Sequence, residues 1–309
     1  MKEHIEVIGI DHGWSTMKTA HSIFTSGVKE ISTEPALKDN LLFYEGKYFR
    51  IGGRRLEVKP TKVTDENYYL LTLAAVAKEL KYRGLKYADV FLSVGLPISR
   101  FGAEKQDFIN YLSRKKEVSF AFEGEYYRIN IVRISVFPQC YAAVAEKLAK
   151  YRRRQLIVDI GSWTMDIMPI EDMVPDEGEC FTQEMGLITC MREINEECVR
   201  KLNGEIAESD MQYVMRTGDS ELTPEYTEIV EATLREFASR VYRIIREHKY
   251  NLDLTPITFV GGGAMVMKLF GESNKQNIRF IENIKANAIG YEYLANIILA
   301  SERKKGAIK

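Results

Sequence analysis

Two short segments of the chain, one near its start and one near its middle, combine the residue types that can hold a phosphate group. The first reads IGIDHGWSTMK from Ile8 to Lys18, and the second reads LIVDIGSWTMD from Leu156 to Asp166. Aspartate, glycine, threonine and methionine recur at matching places, at 11, 13, 16 and 17 in the first segment and at 159, 161, 164 and 165 in the second. Each copy has an apolar strand, an aspartate at its end, a glycine turn and then a second strand. The match predicts a duplicated structural unit, present once in each half of the chain.

The turns of both segments carry groups that suit phosphate oxygens. Gly13 and Gly161 lack a Cβ and tolerate positive φ, so a tight turn can bring backbone N–H groups close to a phosphate. Lys18 can reach a β- or γ-phosphate as a point charge. Phosphate would repel Asp11 and Asp159, so both are predicted to act through Mg²⁺ or its waters. The candidate phosphate-binding residues are Gly13, Trp14, Ser15, Thr16 and Lys18 in the first turn, and Gly161, Ser162, Trp163 and Thr164 in the second.

Two further segments carry candidate site residues. An apolar strand leads into Gly261, Gly262, Gly263 and Ala264, where a nucleobase or ribose can lie against the backbone and a helix start favours phosphate. Gln139 has an amide that can orient an attacking water without being a strong base. Taken alone, each motif has a bland explanation, because a glycine triplet is more often a flexible turn and Gln139 fits a helix start. His12 is interpreted as a turn residue. The combination with the two phosphate turns favours a nucleotide site.

Short apolar strands alternate with longer helical segments along the chain, which predicts an α/β protein. The predicted strands cover residues 5–10, 17–23, 90–94, 155–160 and 256–260, and the predicted helices cover 68–80, 103–114, 142–151, 187–202, 224–247 and 286–300. A polar stretch at 150–155 precedes a fresh strand. It divides the chain into a first domain, residues 1–150, and a second domain, residues 151–286. The helix at about 287–301 is expected to pack back on the first domain.

The composition argues against several classes of protein. Lys and Arg total 43 against 44 for Asp and Glu in 309 residues, so no charge excess draws the chain to nucleic acid or an anionic membrane. The four cysteines include no CxxC pair, which disfavours a zinc site or a disulfide framework. The sequence shows no signal-peptide apolar region at its start and no stretch long enough for a membrane span. A cytoplasmic protein is therefore expected.

In their order and spacing, these segments resemble the actin/Hsp70/sugar-kinase superfamily. Residues 8–19 and 158–166 look like its two phosphate loops, and residues 259–265 look like its adenosine motif. Residues 136–145 and 287–300 stand where its two connecting helices occur. Within the superfamily, the chain is most similar to bacterial actin-like plasmid-segregation proteins of the ParM/StbA type. The residues that carry this similarity are Gly9–Gly13, Met17–Thr19 and the Gly-Leu-Pro sequence at 95–97; Trp14 and Trp163 depart from it, since small residues are usual there.

The resemblance implies two similar lobes of the actin-like ATPase (ribonuclease H-like) fold, with a nucleotide cleft between them. It implies that ATP binds with Mg²⁺, and GTP is the alternative nucleotide. By position, Asp11 and Asp159 would organise Mg²⁺, Lys18 would contact phosphate, and Gln139 would place the hydrolytic water. The glycines at 261–263 would lie behind the adenosine.

The resemblance also implies a partner, which is a second copy of the chain in a head-to-tail filament timed by ATP hydrolysis. A DNA-bound adaptor protein is a further expected partner, and direct contact with nucleic acid or membrane is not expected. The alternative is a non-filamentous ATPase or a small-molecule kinase of the same superfamily. A kinase would need a catalytic carboxylate where Gln139 stands, and an Hsp70 would need a peptide-binding domain after the ATPase. A cell-division filament would carry an amphipathic membrane helix at one end.

Overall fold

A computed structural model describes residues 5–57, 61, 63, 65–150, 154–272 and 274–304 of the chain. The chain divides into two α/β units. Unit 1 comprises residues 1–146 and 285–309, and unit 2 comprises residues 147–284. The domain boundary predicted at residue 151 falls on residues 151–153, which lie outside the described ranges. None of the helices in those ranges is both long and apolar enough to cross a bilayer.

Unit 1 is built on one mixed sheet. Its strands are β1 (Ile5–His12), β2 (Thr16–Lys18), β3 (Ile23–Thr25), β4 (Val28–Ile31), β5 (Leu41–Tyr44), β6 (Lys47–Ile51), β7 (Tyr87–Leu96), β8 (Glu117–Phe122) and β9 (Glu125–Pro138). They lie in the order β3-β2-β1-β7-β9-β8-β5-β6-β4. The long strand β9 pairs in parallel with β7 and antiparallel with β8. The strands β4, β5, β6 and β8 therefore extend the sheet that β1 and β7 begin.

Four helices pack on the unit 1 sheet within the described residues: α1 (Glu66–Tyr82), α2 (Ile98–Leu112), the short α3 (Tyr141–Val144) and α8 (Ala286–Lys304). Helix α1 begins where the Asp65 side chain accepts a hydrogen bond from the Asn67 N–H, which satisfies one orphan donor of the first turn. It is almost entirely buried, from Tyr68 to Leu80, so tertiary packing rather than helix propensity holds it in place. Helix α8 lies against β1, β7 and α3.

Unit 2 has a second mixed sheet. Its strands are β10 (Gln155–Ile160), β11 (Met165–Glu171), β12 (Val174–Pro175), β13 (Phe181–Gln183), β14 (Ile257–Val260) and β15 (Ile278–Phe280), and its helices are α4 (Leu187–Leu202), α5 (Glu208–Thr217), α6 (Pro224–Glu247) and α7 (Gly263–Phe270). The strand order is β12-β11-β10-β14-β15, with β13 paired to β11. Helix α6 starts with proline at its first position, which costs no hydrogen bond there. It buries a stripe of apolar residues that includes Phe237 and Val241.

The two units repeat the same arrangement of strands, which confirms the predicted duplication. In unit 1 the order β3-β2-β1-β7-β9 matches β12-β11-β10-β14-β15 in unit 2. In the first hairpin Asp11 pairs with Lys18, and in the second Asp159 pairs with Asp166, so the register is also the same. Each first strand has a parallel neighbour, β7 or β14, that runs directly into a helix.

Several predicted elements differ from the structure. The strand predicted at 17–23 is two strands, because β2 ends at Lys18 and β3 begins at Ile23. The helix predicted at 103–114 begins earlier, at Ile98, directly after Pro97. The helix predicted at 142–151 is α-helical only to Val144, because the Ala142 carbonyl accepts from the Ala145 N–H and tightens the chain into a 3₁₀ turn over Ala145–Lys150. No element was predicted for β4, β5, β6, β8, β12, β13, β15 or α5.

Candidate functional site

The first hairpin, β1–β2, brings three of the predicted site residues together. Asp11 is buried at the end of β1, and the Lys18 Nζ donates to its Oδ2 over 3.0 Å. The Gln139 Nε2 donates to the other carboxylate oxygen, Oδ1, over 3.3 Å. Lys18 faces Asp11 because the two are cross-strand partners in the hairpin. One carboxylate is thus held from both sides, by a cation and by an amide.

Gln139 reaches Asp11 because of the backbone that follows β9. The strand ends at Pro138, and the Gln139 N–H donates to the Leu96 carbonyl of β7 over 2.9 Å. Cys140 then adopts φ 62° and ψ −60°, and the Tyr141 N–H donates to the Gln139 carbonyl over 2.7 Å. These angles and this bond define a γ-turn with positive φ, which is rare and strained for a residue with a side chain. Backbone strain is therefore located next to the candidate hydrolytic residue.

The turn that joins β1 to β2 is held by a neighbouring segment of the chain. The Ser26 hydroxyl donates to the Gly13 carbonyl over 2.7 Å, and the Ser26 N–H donates to the Ser15 carbonyl over 2.9 Å. The Ser15 hydroxyl accepts a hydrogen bond from the Arg55 guanidinium over 3.0 Å. The Trp14 ring packs edge-on against Tyr68 of α1. The bulky Trp14 is accommodated because its ring turns to the core of unit 1.

His12 is not a turn residue, which corrects the sequence interpretation. It is the last residue of β1 and is fully buried. Its Nε2 lies 2.9 Å from the Thr72 hydroxyl of α1, and its ring packs edge-on against Phe108 of α2. Successive side chains of a strand point to opposite faces, so the side chains of His12 and Asp11 lie on opposite faces of β1. His12 therefore contributes to the packing of unit 1 rather than to the turn.

The expected positive φ at Gly13 and Gly161 is also wrong, since neither residue has a left-handed backbone. What restricts Gly13 is space: a Cβ there would lie 2.4 Å from the Thr16 carbonyl oxygen and 3.2 Å from the Lys18 Nζ. At Gly161 a Cβ would lie 3.3 Å from the Thr164 carbonyl oxygen, which is a tighter contact than usual but less severe than that at Gly13. The first turn is therefore the more crowded of the two.

The second hairpin, β10–β11, repeats the turn but changes the charge. The Gly161 N–H donates to the Thr164 carbonyl over 2.9 Å and closes the turn. Asp159 is buried, and its cross-strand partner is Asp166, where the first hairpin has a lysine. Asp166 accepts hydrogen bonds from the hydroxyls of Thr164, over 3.3 Å, and Thr182, over 2.5 Å. These hydroxyl donors stabilise a carboxylate that lies beside another carboxylate.

The amino-terminal end of α4 holds the turn of the second hairpin. The Leu187 N–H donates to the Gly161 carbonyl over 3.1 Å, and the Ile188 N–H donates to the Ser162 carbonyl over 2.9 Å. A Cβ on Gly186 would lie 2.5 Å from the backbone of Ser162 and Trp163. Ser162 and Trp163 are therefore positioned by their backbone against the start of a helix.

The glycine segment after β14 packs directly on the second hairpin. Gly261 has φ 79°, and a Cβ there would lie 2.2 Å from the Asp159 Oδ1. A Cβ on Gly263 would lie 2.3 Å from the Ile160 side chain, and Ala264 is fully buried. Gly262 precedes the first residue of α7 and faces Leu187. Gly261 and Gly263 thus have a packing reason to be glycine, and Gly261 brings the segment to the Asp159 carboxylate.

Within the described residues, neither Asp11 nor Asp159 belongs to a larger cluster of metal-binding side chains. Among the described residues, no group of three or more His, Cys, Asp or Glu side chains is arranged to hold a metal ion. Mg²⁺ commonly keeps several waters and binds through one or two carboxylates plus the phosphates of a nucleotide. Asp11 in unit 1 and Asp159 in unit 2 are each a carboxylate of the kind that such an ion would use.

Sequence reasoning missed four residues near the hairpins: Arg55, Asp166, Thr182 and Glu292. Asp166 could have been found, because it aligns with Lys18 in the duplication. Glu292 of α8 accepts from the Gly9 N–H over 3.0 Å and from the Arg83 guanidinium over 3.0 Å. Burial raises the pKa of the Glu292 carboxyl above its ordinary value, although these two donors act in the opposite direction. Arg55 and Glu292 lie in segments that carry no motif.

Family models match both halves of the chain. Residues 9–141 match the model described as actin like proteins N terminal domain, and residues 157–270 match the archaeal actin homologue MreB-like, C-terminal model. The chain belongs to the actin-like protein family. The first match includes Asp11, Lys18 and Gln139, and the second includes Asp159 and the glycine segment. A search of curated protein sequences found no significant match.

Solved structures of actin-like proteins share the fold. The archaeal actin homologue Ta0583 is similar with a TM-score of 0.79 and 22% identity, over 94% of this chain and 99% of that chain. It has also been solved in complex with ADP. A filament structure of Alp12 has a TM-score of 0.72 and 17% identity, over 96% and 99% of the two chains. A 15-stranded ParM filament from Clostridium botulinum has a TM-score of 0.71 and 16% identity, over 96% and 100%.

Proposed function

We propose that this actin-like protein binds ATP with Mg²⁺, hydrolyses it, and assembles into head-to-tail filaments that serve plasmid DNA segregation. The observation that carries the proposal is the set formed by Asp11, Lys18 and Gln139 at the first glycine turn, with distances of 3.0 and 3.3 Å from the two donors to the carboxylate. A cation, a carboxylate and a neutral amide at one turn are the groups that phosphate transfer to water requires. The second hairpin supports the same conclusion, because it repeats the glycine turn and the aspartate at the same register.

Each side chain has a role that follows from its chemistry. Lys18 neutralises phosphate charge, and its ion pair with Asp11 keeps the ammonium at the turn until phosphate competes for it. Gln139 orients the attacking water with its amide, and its bond to Asp11 keeps the amide from rotating away. Bound Mg²⁺ would supply charge neutralisation at the phosphates, with Asp11 and Asp159 as its protein partners. In unit 2, Gly261–Gly263 would lie behind the adenosine.

Self-assembly is proposed from the family. Alp12 and the Clostridium botulinum ParM, both similar to this chain in fold, have been solved as filaments. A head-to-tail contact uses two different surfaces of one protomer, and it produces an open polymer unless the rotation closes a ring. Loss of the γ-phosphate removes a group that the first turn would hold, so hydrolysis is expected to weaken the filament. A DNA-bound adaptor protein would connect the filament to its cargo.

The nucleotide and polymer steps are tested on the purified chain. Right-angle light scattering and phosphate release are followed after addition of ATP, GTP, ADP or a non-hydrolysable ATP analogue. Gln139→Ala should slow phosphate release by roughly 10²-fold or more and leave longer-lived filaments. Gln106→Ala is the matched control, because Gln106 is exposed on α2 and its amide donates to Asn110 of the same helix. A Gln139→Ala protein that releases phosphate at the wild-type rate would contradict the role of Gln139.

Three further tests separate the parts of the proposal. Asp11→Asn keeps the shape of the side chain and removes its charge, so hydrolysis should fall by orders of magnitude while circular dichroism still reports a folded protein. Binding and hydrolysis without any rise in scattering would favour the alternative, a non-filamentous ATPase or a small-molecule kinase. The segregation role is tested by deleting the coding sequence and measuring loss of the replicon that carries it, which should become more frequent.

A further inference from the structure

The turn that carries Ser15 is contacted by a charged residue from outside the two phosphate segments. Arg55 follows β6 by four residues, and its Nη1 donates to the Ser15 Oγ over 3.0 Å. Ser15 itself is buried, so the guanidinium reaches into the turn. No sequence motif surrounds Arg55, and the two phosphate segments are complete without it.

The segment around Arg55 is held in place on both sides. The Leu56 N–H donates to the Ser26 carbonyl over 2.8 Å, and the Leu56 side chain packs on the core of unit 1. On the other side, a Cβ on Gly27 would lie 2.4 Å from the Arg54 carbonyl oxygen, so this close approach requires glycine. Ser26 in turn bonds the Gly13 and Ser15 carbonyls of the turn. The backbone that carries Arg55 is therefore fixed to the turn that the Arg55 side chain contacts.

The charge at the turn explains what Arg55 could add. Lys18 and Asp11 form an ion pair at 3.0 Å, and their formal charges cancel. A nucleoside triphosphate is a polyanion, so a second cation at the same turn would favour it. A guanidinium has five N–H donors and can bond a hydroxyl and a phosphate oxygen together. Because the guanidinium donates to a lone pair of the Ser15 oxygen, the proton of that hydroxyl points away from Arg55 and can be donated to another group.

We propose that Arg55 is a further phosphate-recognition residue of unit 1, which adds a positive charge to the first turn and orients the Ser15 hydroxyl as a donor to the terminal phosphates of a nucleoside triphosphate. The inference rests on the proposed function, because it assigns Arg55 to the same nucleotide site. It makes Arg55 a residue that discriminates a triphosphate from a diphosphate.

The test measures nucleotide affinity by isothermal titration calorimetry. Arg55→Ala should weaken the non-hydrolysable ATP analogue by about 10-fold or more, as expected for a lost charge-assisted hydrogen bond, and should weaken ADP much less. Arg54→Ala is the matched control, because Arg54 is the exposed neighbour and its loss changes the net charge equally. Arg55→Lys keeps the charge but not the fork, so its affinity should fall between wild type and Arg55→Ala.

The outcomes are separable. If wild type binds the analogue and Arg55→Ala binds it as tightly as Arg54→Ala does, the inference is wrong and the proposed function stands. If wild type binds no nucleotide, both fail. If Arg55→Ala does not fold, Arg55→Lys decides, and analogue affinity equal to wild type would overturn the inference. A double-mutant cycle with Ser15→Ala tests whether Arg55 acts through the Ser15 hydroxyl. If it does, the losses of analogue affinity caused by the two substitutions should not add.

Discussion

Helices α3 and α8 cross in unit 1 at a point where only glycine fits. A Cβ on Gly290 of α8 would lie 1.8 Å from the Ala142 carbonyl oxygen of α3. A carbon and a carbonyl oxygen normally stay about 3.3 Å or more apart, so Gly290→Ala must separate the helices by roughly 1.5 Å there. The obstacle is backbone rather than the end of a flexible side chain, so rotation of a side chain cannot relieve it.

Two opposing contributions decide how Gly290→Ala changes the free energy of unfolding. Overpacking costs about 1–3 kcal/mol, and a backbone clash belongs at the upper end of that range or above it. Alanine recovers about 1 kcal/mol through its better helix propensity. Gly290→Ala should therefore destabilise unit 1 by about 2 kcal/mol. Gly102 of α2 is the matched control, because it is exposed and a Cβ there would meet nothing within 4 Å. Gly102→Ala should stabilise unit 1 by about 0.5–1 kcal/mol.

Thermal and urea unfolding followed by circular dichroism check both signs. At about 2–4 °C per kcal/mol for a unit of this size, Tm should fall by roughly 4–8 °C for Gly290→Ala and rise by roughly 1–4 °C for Gly102→Ala. Phosphate release is the second readout, because α3 follows Gln139 by only two residues. Gly290→Ala should slow it even at temperatures where the variant is folded. A Gly290→Ala protein at least as stable as wild type would refute the close crossing of α3 and α8.

Three shorter predictions concern a helix end, a buried carboxylate and the two turns. Lys249 is exposed with φ 65° at the end of α6, so Lys249→Gly should raise the urea midpoint by an amount equivalent to about 0.5–1 kcal/mol, whereas Lys249→Ala should change it little. Burial acts to raise the pKa of Glu79, but hydrogen bonds from Thr19 and His21 outweigh it and leave that pKa below its ordinary value. The stability from this carboxylate is present above pH about 4.5 and is lost as the pH falls through the lowered pKa, so Glu79→Gln should flatten the acid side of the stability profile. Gly13→Ala should weaken nucleotide binding in calorimetry more than Gly161→Ala, because its Cβ would lie 2.4 rather than 3.3 Å from a turn carbonyl, and equal effects would contradict this geometry.

The hairpins were predictable because their residues are local in sequence. A strand, an aspartate and a glycine turn occur within eleven residues, and their recurrence around Asp159 is a second indication of the same hairpin. The helices at 187–202 and 224–247 were predicted with the bounds that the structure has, since their apolar residues recur at helical spacing over many turns. The contact between Gln139 and Asp11 joins residues 128 apart in sequence, so only the resemblance could suggest it.

The missed elements share a physical cause. Strands β4, β5 and β6 are four or five residues long, and each is stabilised by its neighbours in the sheet rather than by a pattern of its own. The contact of Arg55 with Ser15 spans 40 residues and depends on the close approach at Gly27, which a sequence does not reveal. The backbone conformation at Gly13 could not be predicted from the residue type either, because glycine allows several conformations.

The duplicated hairpins have diverged at one register position, and this difference divides the chemistry between the units. Asp11 faces Lys18, so the first hairpin carries an ion pair at 3.0 Å with no net charge. Asp159 faces Asp166, so the second carries two carboxylates, and like charges directly opposite each other in a sheet are destabilising. Hydroxyl donors at Thr164 and Thr182 offset part of that cost. Under the proposed function, Lys18 of the first hairpin would receive phosphate, whereas the two carboxylates of the second hairpin would attract a cation.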